Sequence, residues 1–193
     1  MKYPHGVRRS NSFASSRNQS YSNRGMTLEE DINLTNEYYL TMNLAVIHKK
    51  PTPVQIVNVN YPKRSAAVIT EAYFQQASTT DYNGVYRGKY IDFEAKETRS
   101  TTSFPLANVH EHQVRHMKSV IKHGGISFMI IRFTNLQETY FYGANNLFQY
   151  WDDQQVGGRK SIPYDEIKST GYFIPFKYQP RVPYLDILNK LYF

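Results

Sequence analysis

The stretch Thr79-Thr80-Asp81-Tyr82-Asn83-Gly84-Val85-Tyr86-Arg87-Gly88-Lys89-Tyr90-Ile91-Asp92-Phe93-Glu94-Ala95-Lys96 reads as a β-hairpin. Its two-residue turn falls at Arg87-Gly88, because Gly tolerates the positive φ that tight hairpin turns demand. Tyr86 then pairs with Lys89, and counting outward sets Asp81 against Glu94 and Thr79 against Lys96. Residues two apart on a strand share a face, and so do directly opposed residues. Thr79, Asp81, Glu94 and Lys96 are therefore expected on one patch. Asn83-Gly84 is a competing turn dipeptide that would pair Asp81 with Tyr86 instead. Arg87-Gly88 is preferred because it leaves a long second strand, 89–98, with Ile91, Phe93 and Ala95 facing inward.

Two opposed carboxylates would hold their Cβ atoms roughly 5 Å apart, where like charges destabilise the pair. A hard divalent cation shared by both removes that penalty. Mg²⁺ takes oxygen ligands and keeps several waters, so two carboxylates and phosphate oxygens suit it, with Mn²⁺ able to substitute. Lys96 adds a positive charge that can orient a water nucleophile or stabilise charge developing on a phosphorane. Asp81, Glu94 and Lys96 thus form a candidate phosphodiester-cleaving constellation, with the two acids as metal ligands. The plainer alternative makes Glu94 and Lys96 ordinary strand charges and Asp81 a turn residue, and a bare D…E-x-K pattern often means no more than that.

The composition narrows the partners. A chain of 193 residues supports one domain with a sizeable core. Its formal net charge of +7 points to a polyanion, nucleic acid first and an anionic membrane surface second. No apolar run approaches the roughly 20 residues of a spanning helix, and no secretory leader is recognisable, so no membrane partner is expected. The absence of Cys excludes disulfides, thiolate zinc sites and cysteine nucleophiles, and is compatible with a cytoplasmic setting. The 17 Tyr suit strands and packing more readily than base stacking.

Residues 1–24 carry Lys2, Arg8, Arg9, Arg17 and Arg24 with no acid, and read as a disordered basic arm. Such an arm adds salt-sensitive affinity for DNA, Arg24 included. Residues 25–193 are then the single folded domain. Thr27-Leu28-Glu29-Glu30 is a capping box opening a helix to about residue 43, with Leu28, Ile32, Thr35 and Tyr39 on its buried stripe. Glu30 serves the cap, which leaves Glu29 as the free carboxylate of this turn.

Residues 45–74 differ in character. Two alternating strands flank the basic turn Tyr61-Pro62-Lys63-Arg64-Ser65, and His48, Lys49, Lys50, Lys63 and Arg64 stand against one acid, Glu71. This segment is too short for a domain and too basic for a core hairpin. It suggests a cationic projection inserted in the domain, the alternative being a sheet edge kept soluble by lysines.

A helix is expected over 109–123, with Val109, Gln113, Met117, Val120 and Ile121 on one stripe. Gln113 is polar on an apolar face and needs a partner: a metal or its water, or else a backbone group or a Tyr. His112 and His116 share a face with no third ligand for zinc, and with Arg115 they are read as approaching DNA phosphates. The apolar run 125–133 should be a central buried strand. A strand at 139–142, helices at 144–155 and 183–191, and a helical turn at 164–169 complete the chain. Gly157-Gly158-Arg159-Lys160 is a basic loop, wrongly spaced for a P-loop.

The hairpin resembles the Asp…Glu-x-Lys core of the PD-(D/E)xK nuclease superfamily. The runs 79–86 and 90–98, together with Ser22-Asn23-Arg24-Gly25-Met26-Thr27-Leu28-Glu29, His48-Lys49-Lys50-Pro51-Thr52-Pro53 and His110-Glu111-His112-Gln113, closely resemble the RecU-type Holliday junction resolvases of Gram-positive bacteria. Thr80 stands where the superfamily has proline before the first acid, a departure that fits this family. The resemblance implies an α/β fold, a mixed central sheet flanked by helices of the restriction-endonuclease kind, with residues 45–74 as an inserted β-stalk entering the junction. It implies Mg²⁺ ligands at Thr79, Asp81, Glu94 and Gln113, and a transition-state stabiliser at Lys96. Related nucleases carry a glutamate on the first helix near the metal, which makes Glu29, in G-x-x-x-E spacing from Gly25, an accessory candidate. The resemblance further implies a homodimer on branched DNA, recombinase and branch-migration partners, and a nucleoid-associated cytoplasmic location. Rivals are a linear-duplex endonuclease of the same superfamily, or a DNA-binding protein whose hairpin acids are structural.

Overall fold

Arg87 and Gly88 both adopt positive φ, +47° and +76°, and close a two-residue turn between the strands on either side. The ladder below it runs from Tyr86↔Lys89 through Asn83↔Asp92 to Tyr82↔Phe93, the register expected from that turn. The protein is described here by a computed structural model covering residues 26–75 and 79–193. The basic arm, Arg24 within it, and the side chain of Arg64 lie outside what is described.

In chain order, α1 (Leu28–Thr41) is followed by β1 (Val46–Lys49), β2 (Val54–Asn60) and β3 (Val68–Phe74). The hairpin strands β4 (Tyr82–Tyr86) and β5 (Lys89–Thr98) come next, then short β6 (Ser103–Pro105) and α2 (Glu111–Lys122). After these come β7 (Ile126–Phe133), β8 (Glu138–Gly143), α3 (Ala144–Gln155) and β9 (Ser161–Pro163). The chain closes with α4 (Tyr164–Thr170), β10 (Tyr172–Phe173) and α5 (Tyr184–Tyr192).

Six strands form one mixed sheet in the order β1-β4-β5-β7-β8-β10. Among the described strands only β5 and β7 run parallel, because α2 carries the chain from one to the other across the sheet face. Strand β7 is covered on both faces, which is why its sequence is an almost unbroken apolar run. One face buries Ile91, Phe93, Phe128, Ile130 and Phe141 beneath α1 and α5. The other buries Met129, Ile131, Phe133 and Tyr142 against α2, α3 and Ile167 of α4.

The start of α1 follows its sequence: Thr27 accepts from the Glu30 amide at 3.2 Å, and Glu30 accepts from the Thr27 amide at 2.8 Å. The first turn is also tied to the sheet, since the Leu28 amide donates to Glu97 of β5 at 2.9 Å. Buried Asp31 is bridged by Arg132 of β7 at 2.7 Å and by Arg181 at 3.2 Å.

Residues 45–74 divide where the sequence suggested one unit. Strand β1 is an edge of the main sheet, with Ile47 buried and paired to Gly84. Only β2 and β3 form the separate two-stranded ribbon, and thirteen of their fourteen residues are exposed, with Val59 half-buried. The reason is packing: Ile47 has core to enter, whereas among the described residues no element covers either face of the ribbon. The ribbon closes at its base, where the Gln75 amide donates to the Pro53 carbonyl at 3.0 Å.

Asn83-Gly84, the competing turn, is mid-strand. A Cβ on Gly84 would lie 2.0 Å from the Val46 carbonyl oxygen, so Gly is there to let β1 approach.

Candidate active site

Strand alternation sends Ile91, Phe93 and Ala95 to the α1 side of β5, and Asp92, Glu94 and Lys96 to the α2 side. Just before β4 the chain leaves the ladder but stays against it. The Asp81 amide donates to Glu94 Oε2 at 3.1 Å, and the Asp81 carbonyl accepts from the Lys50 amide at 2.7 Å. Lys96 Nζ lies 2.7 Å from Glu94 Oε1. Asp81, Glu94 and Lys96 are thus brought together across the two strands.

Glu94 is fully buried. Its carboxyl is pushed up to about 7, first by loss of hydration and further by the Asp81 carboxylate, with Lys96 pulling the other way. Among the described residues the buried Glu94 Oε1 has no partner for a well-directed hydrogen bond beyond the Lys96 ammonium, 2.7 Å away. A buried carboxylate oxygen in this condition, beside a second acid, is a donor set that fits a hard divalent cation. Among the described residues no three His, Asp or Glu side chains are grouped to hold an ion unaided. A cation here would rest on Asp81 and Glu94, completed by neutral oxygens.

The two other expected ligands are less committed. Thr79 lies in a bend outside the ladder, so it is not paired with Lys96 as the hairpin count implied, and its hydroxyl donates to the Thr80 carbonyl at 3.2 Å. Gln113 is buried in the first turn of α2, and its Oε1 accepts from the His110 amide at 2.9 Å. The backbone partner weighed from the sequence is therefore present. Its carbonyl oxygen retains a second lone pair.

Glu29 is exposed and ion-paired to Lys49, and its backbone carbonyl lies 3.5 Å from the Tyr82 hydroxyl. Lys63 is exposed on the loop joining β2 to β3. Lys50 is turned inward, 2.9 Å from Asp92 and 3.1 Å from Thr80, so its ammonium is not displayed for phosphate as the sequence suggested. His116 is likewise drawn onto Asp92 at 3.1 Å. His112 Nε2 is buried with no hydrogen-bond partner among the described residues. Burial lowers its pKa, helped by positive charge on His110, Arg115 and Lys96. Arg115 is exposed and lines a groove with Lys118 and Trp151.

Sequence reasoning passed over Asp92. It is fully buried, and its Oδ2 meets Lys50, Tyr90 at 3.1 Å and His116, while its Oδ1 accepts from the Thr80 hydroxyl. The signal was present: an acid two residues before Glu94, flanked by Ile91 and Phe93, must share the face of Glu94 and Lys96.

A mixed sheet flanked by helices is consistent with a nuclease fold of the kind the hairpin motif implied. The profile of the family described as Recombination protein U, RecU, matches residues 23–190. The chain belongs to the RecU family. It is 66% identical over 174 residues, 90% of this chain and 87% of the relative, to a protein of Geobacillus sp. (strain WCH70) named Holliday junction resolvase RecU. Proteins of the same name from Oceanobacillus iheyensis and Bacillus subtilis are 63% and 57% identical, over 100% of this chain and 100% and 96% of theirs.

Proposed function

We propose that the chain is a Mg²⁺-dependent endodeoxyribonuclease that resolves four-way DNA junctions by hydrolysing phosphodiesters on opposing strands, in homologous recombination and DNA repair. The observation that carries this is the meeting of Asp81, Glu94 and Lys96 in a chain whose full-length relatives are named Holliday junction resolvases. Asp81 and Glu94 hold the cation, with Thr79 and Gln113 as the neutral oxygens. Bound Mg²⁺, or Mn²⁺ in its place, supplies charge neutralisation at the scissile phosphate and acidifies a water. Lys96 keeps its ammonium beside Glu94, where it orients the attacking water and stabilises the added negative charge. Burial of Glu94 keeps competing solvent from the acid pair.

Cutting on two opposed strands calls for two sites related by a two-fold axis, which a C2 homodimer provides. Recombinase and branch-migration proteins are the partners this role implies, in a nucleoid-associated cytoplasmic setting. No described helix is long and apolar enough to cross a membrane.

The direct test compares a four-way junction with linear duplex of the same arms, with and without Mg²⁺. Cleavage should require both the branch and the metal. Asp81→Asn and Lys96→Ala should each slow cleavage by about a thousandfold or more while junction binding in EDTA stays near wild type. Cutting at the wild-type rate by both variants would reject the site. Equal cleavage of linear duplex would favour a different substrate for the same chemistry.

The exposed ribbon carries Lys63 and Arg64 on the loop at its far end from the sheet. Lys63→Ala with Arg64→Ala should weaken junction affinity about tenfold and shallow its salt dependence, as two lost phosphate contacts would. Titrations at several salt concentrations read both; an unchanged slope would remove the ribbon from the interface.

A further inference from the structure

Asp92 joins parts of the chain that are far apart in sequence yet meet beside the acid pair. Lys50, which bonds its carboxylate, is the last residue before the segment leading into the ribbon. Thr80, which bonds the other oxygen, lies on the return from the ribbon and immediately precedes Asp81. The two also hold each other, Lys50 Nζ to Thr80 Oγ1 at 3.1 Å, and the Lys50 amide donates to the Asp81 carbonyl. His116 brings in α2, and Tyr90 adds a fourth donor from β5 itself. Asp92 therefore clamps both roots of the ribbon to β5, two residues before Glu94.

Building on the metal-site reading above, we propose that Asp92 is a positioning residue. Through Thr80 and Lys50 it holds Asp81 opposite Glu94, and so links the seating of the ribbon to cation binding. Among the described residues the Asp81 backbone is fixed by one bond to β5, from its amide to Glu94, and one to Lys50. Loosening the Thr80–Asp92–Lys50 contacts lets the Asp81 carboxylate wander while the core beneath stays packed. A residue that orients a metal ligand in this way typically governs about a ten- to hundredfold range of metal affinity.

The test is Mn²⁺ binding to full-length protein, followed by electron paramagnetic resonance well below the melting temperature. Asp92→Asn should bind Mn²⁺ about tenfold more weakly than wild type. Its junction cleavage should fall at low Mg²⁺ and recover at high Mg²⁺, with unchanged KM for the junction. Thr80→Val keeps the side-chain shape and should shift Mn²⁺ affinity in the same direction by less, which secures the test if Asp92→Asn folds poorly. Asp31→Asn removes another buried acid, one tied to Arg132 and Arg181, and should lose stability but not Mn²⁺ affinity. Wild-type Mn²⁺ affinity in folded Asp92→Asn or Thr80→Val would overturn the proposal alone. Equal weakening in Asp31→Asn would overturn it too, by showing a general effect of instability. Failure of wild-type protein to bind Mn²⁺ would overturn it together with the metal site.

Discussion

Glu94→Gln is expected to abolish junction cleavage and, without divalent cation, to raise the melting temperature at pH 8 above that of wild type. Both effects come from one carboxyl group. In the folded, metal-free protein its pKa is pushed up from 4.5 to about 7, chiefly by burial and then by Asp81. The folded state thus binds this proton more tightly than the unfolded chain does. Its contribution is fully present below about pH 4.5 and is lost as pH rises through about 7. Above that, wild type carries a buried negative charge costing roughly 3 kcal/mol, a balance that already includes the attraction of Lys96 2.7 Å away. Gln has the same shape and no charge, so its stability should be flat across the interval. Melting curves from pH 5 to pH 9 in EDTA should show the two proteins converging at the acid end and separating by several degrees at the alkaline end. Mg²⁺ should then restore wild type but not the variant. A variant that melts below wild type at pH 8 would contradict the burial argument.

Gly84→Ala should be among the most destabilising single changes outside the two apolar cores. The added methyl would sit 2.0 Å from the Val46 carbonyl oxygen and 2.5 Å from Ile47 Cα. Both are backbone atoms, so no rotamer change relieves the clash; β1 must move away from β4. That breaks an edge of the sheet, withdraws Ile47 from the core and displaces Lys50. A loss of about 3 kcal/mol or more is expected, read from urea midpoints. Gly143→Ala is the matched control, because a Cβ there meets nothing within 4 Å, and it should be close to neutral. Equal midpoints for the two variants would show that β1 is not held as tightly as its pairing implies. Cleavage by folded Gly84→Ala should also fall, since β1 leads directly into the residues that pin Asp81.

What the sequence disclosed and what it withheld follow the range of the forces involved. The hairpin register was legible because a two-residue turn with Gly at positive φ is a local constraint. The capping box at Thr27 and the apolar run of β7 were legible for the same reason. Asn83-Gly84 misleads locally because its glycine answers to β1, some forty residues earlier. The four-residue β1 was merged with the ribbon because one buried Ile47 among exposed neighbours gives too short a pattern to read. Strands β6, β9 and β10, of two or three residues each, leave no periodicity at all. Within the site, the hairpin count carried Asp81 to the end of the ladder, where its amide meets the Glu94 side chain although the two residues are not ladder partners. Lys50 and His116, read as facing DNA, are drawn onto the buried Asp92 of another element, a long-range contact that no local pattern signals.

The bond between Pro53 and Gln75 has a consequence for how such a protein can be remodelled. The chain leaves the sheet and comes back to nearly the same point, so the whole ribbon is suspended from its root like a tool in a socket. No rung of the six-stranded sheet passes through it. Its length and chemistry can therefore change, or a short linker can replace it, without rewriting the catalytic scaffold. Under the role proposed for the ribbon, exchanging this one cassette would retune which DNA shapes are gripped.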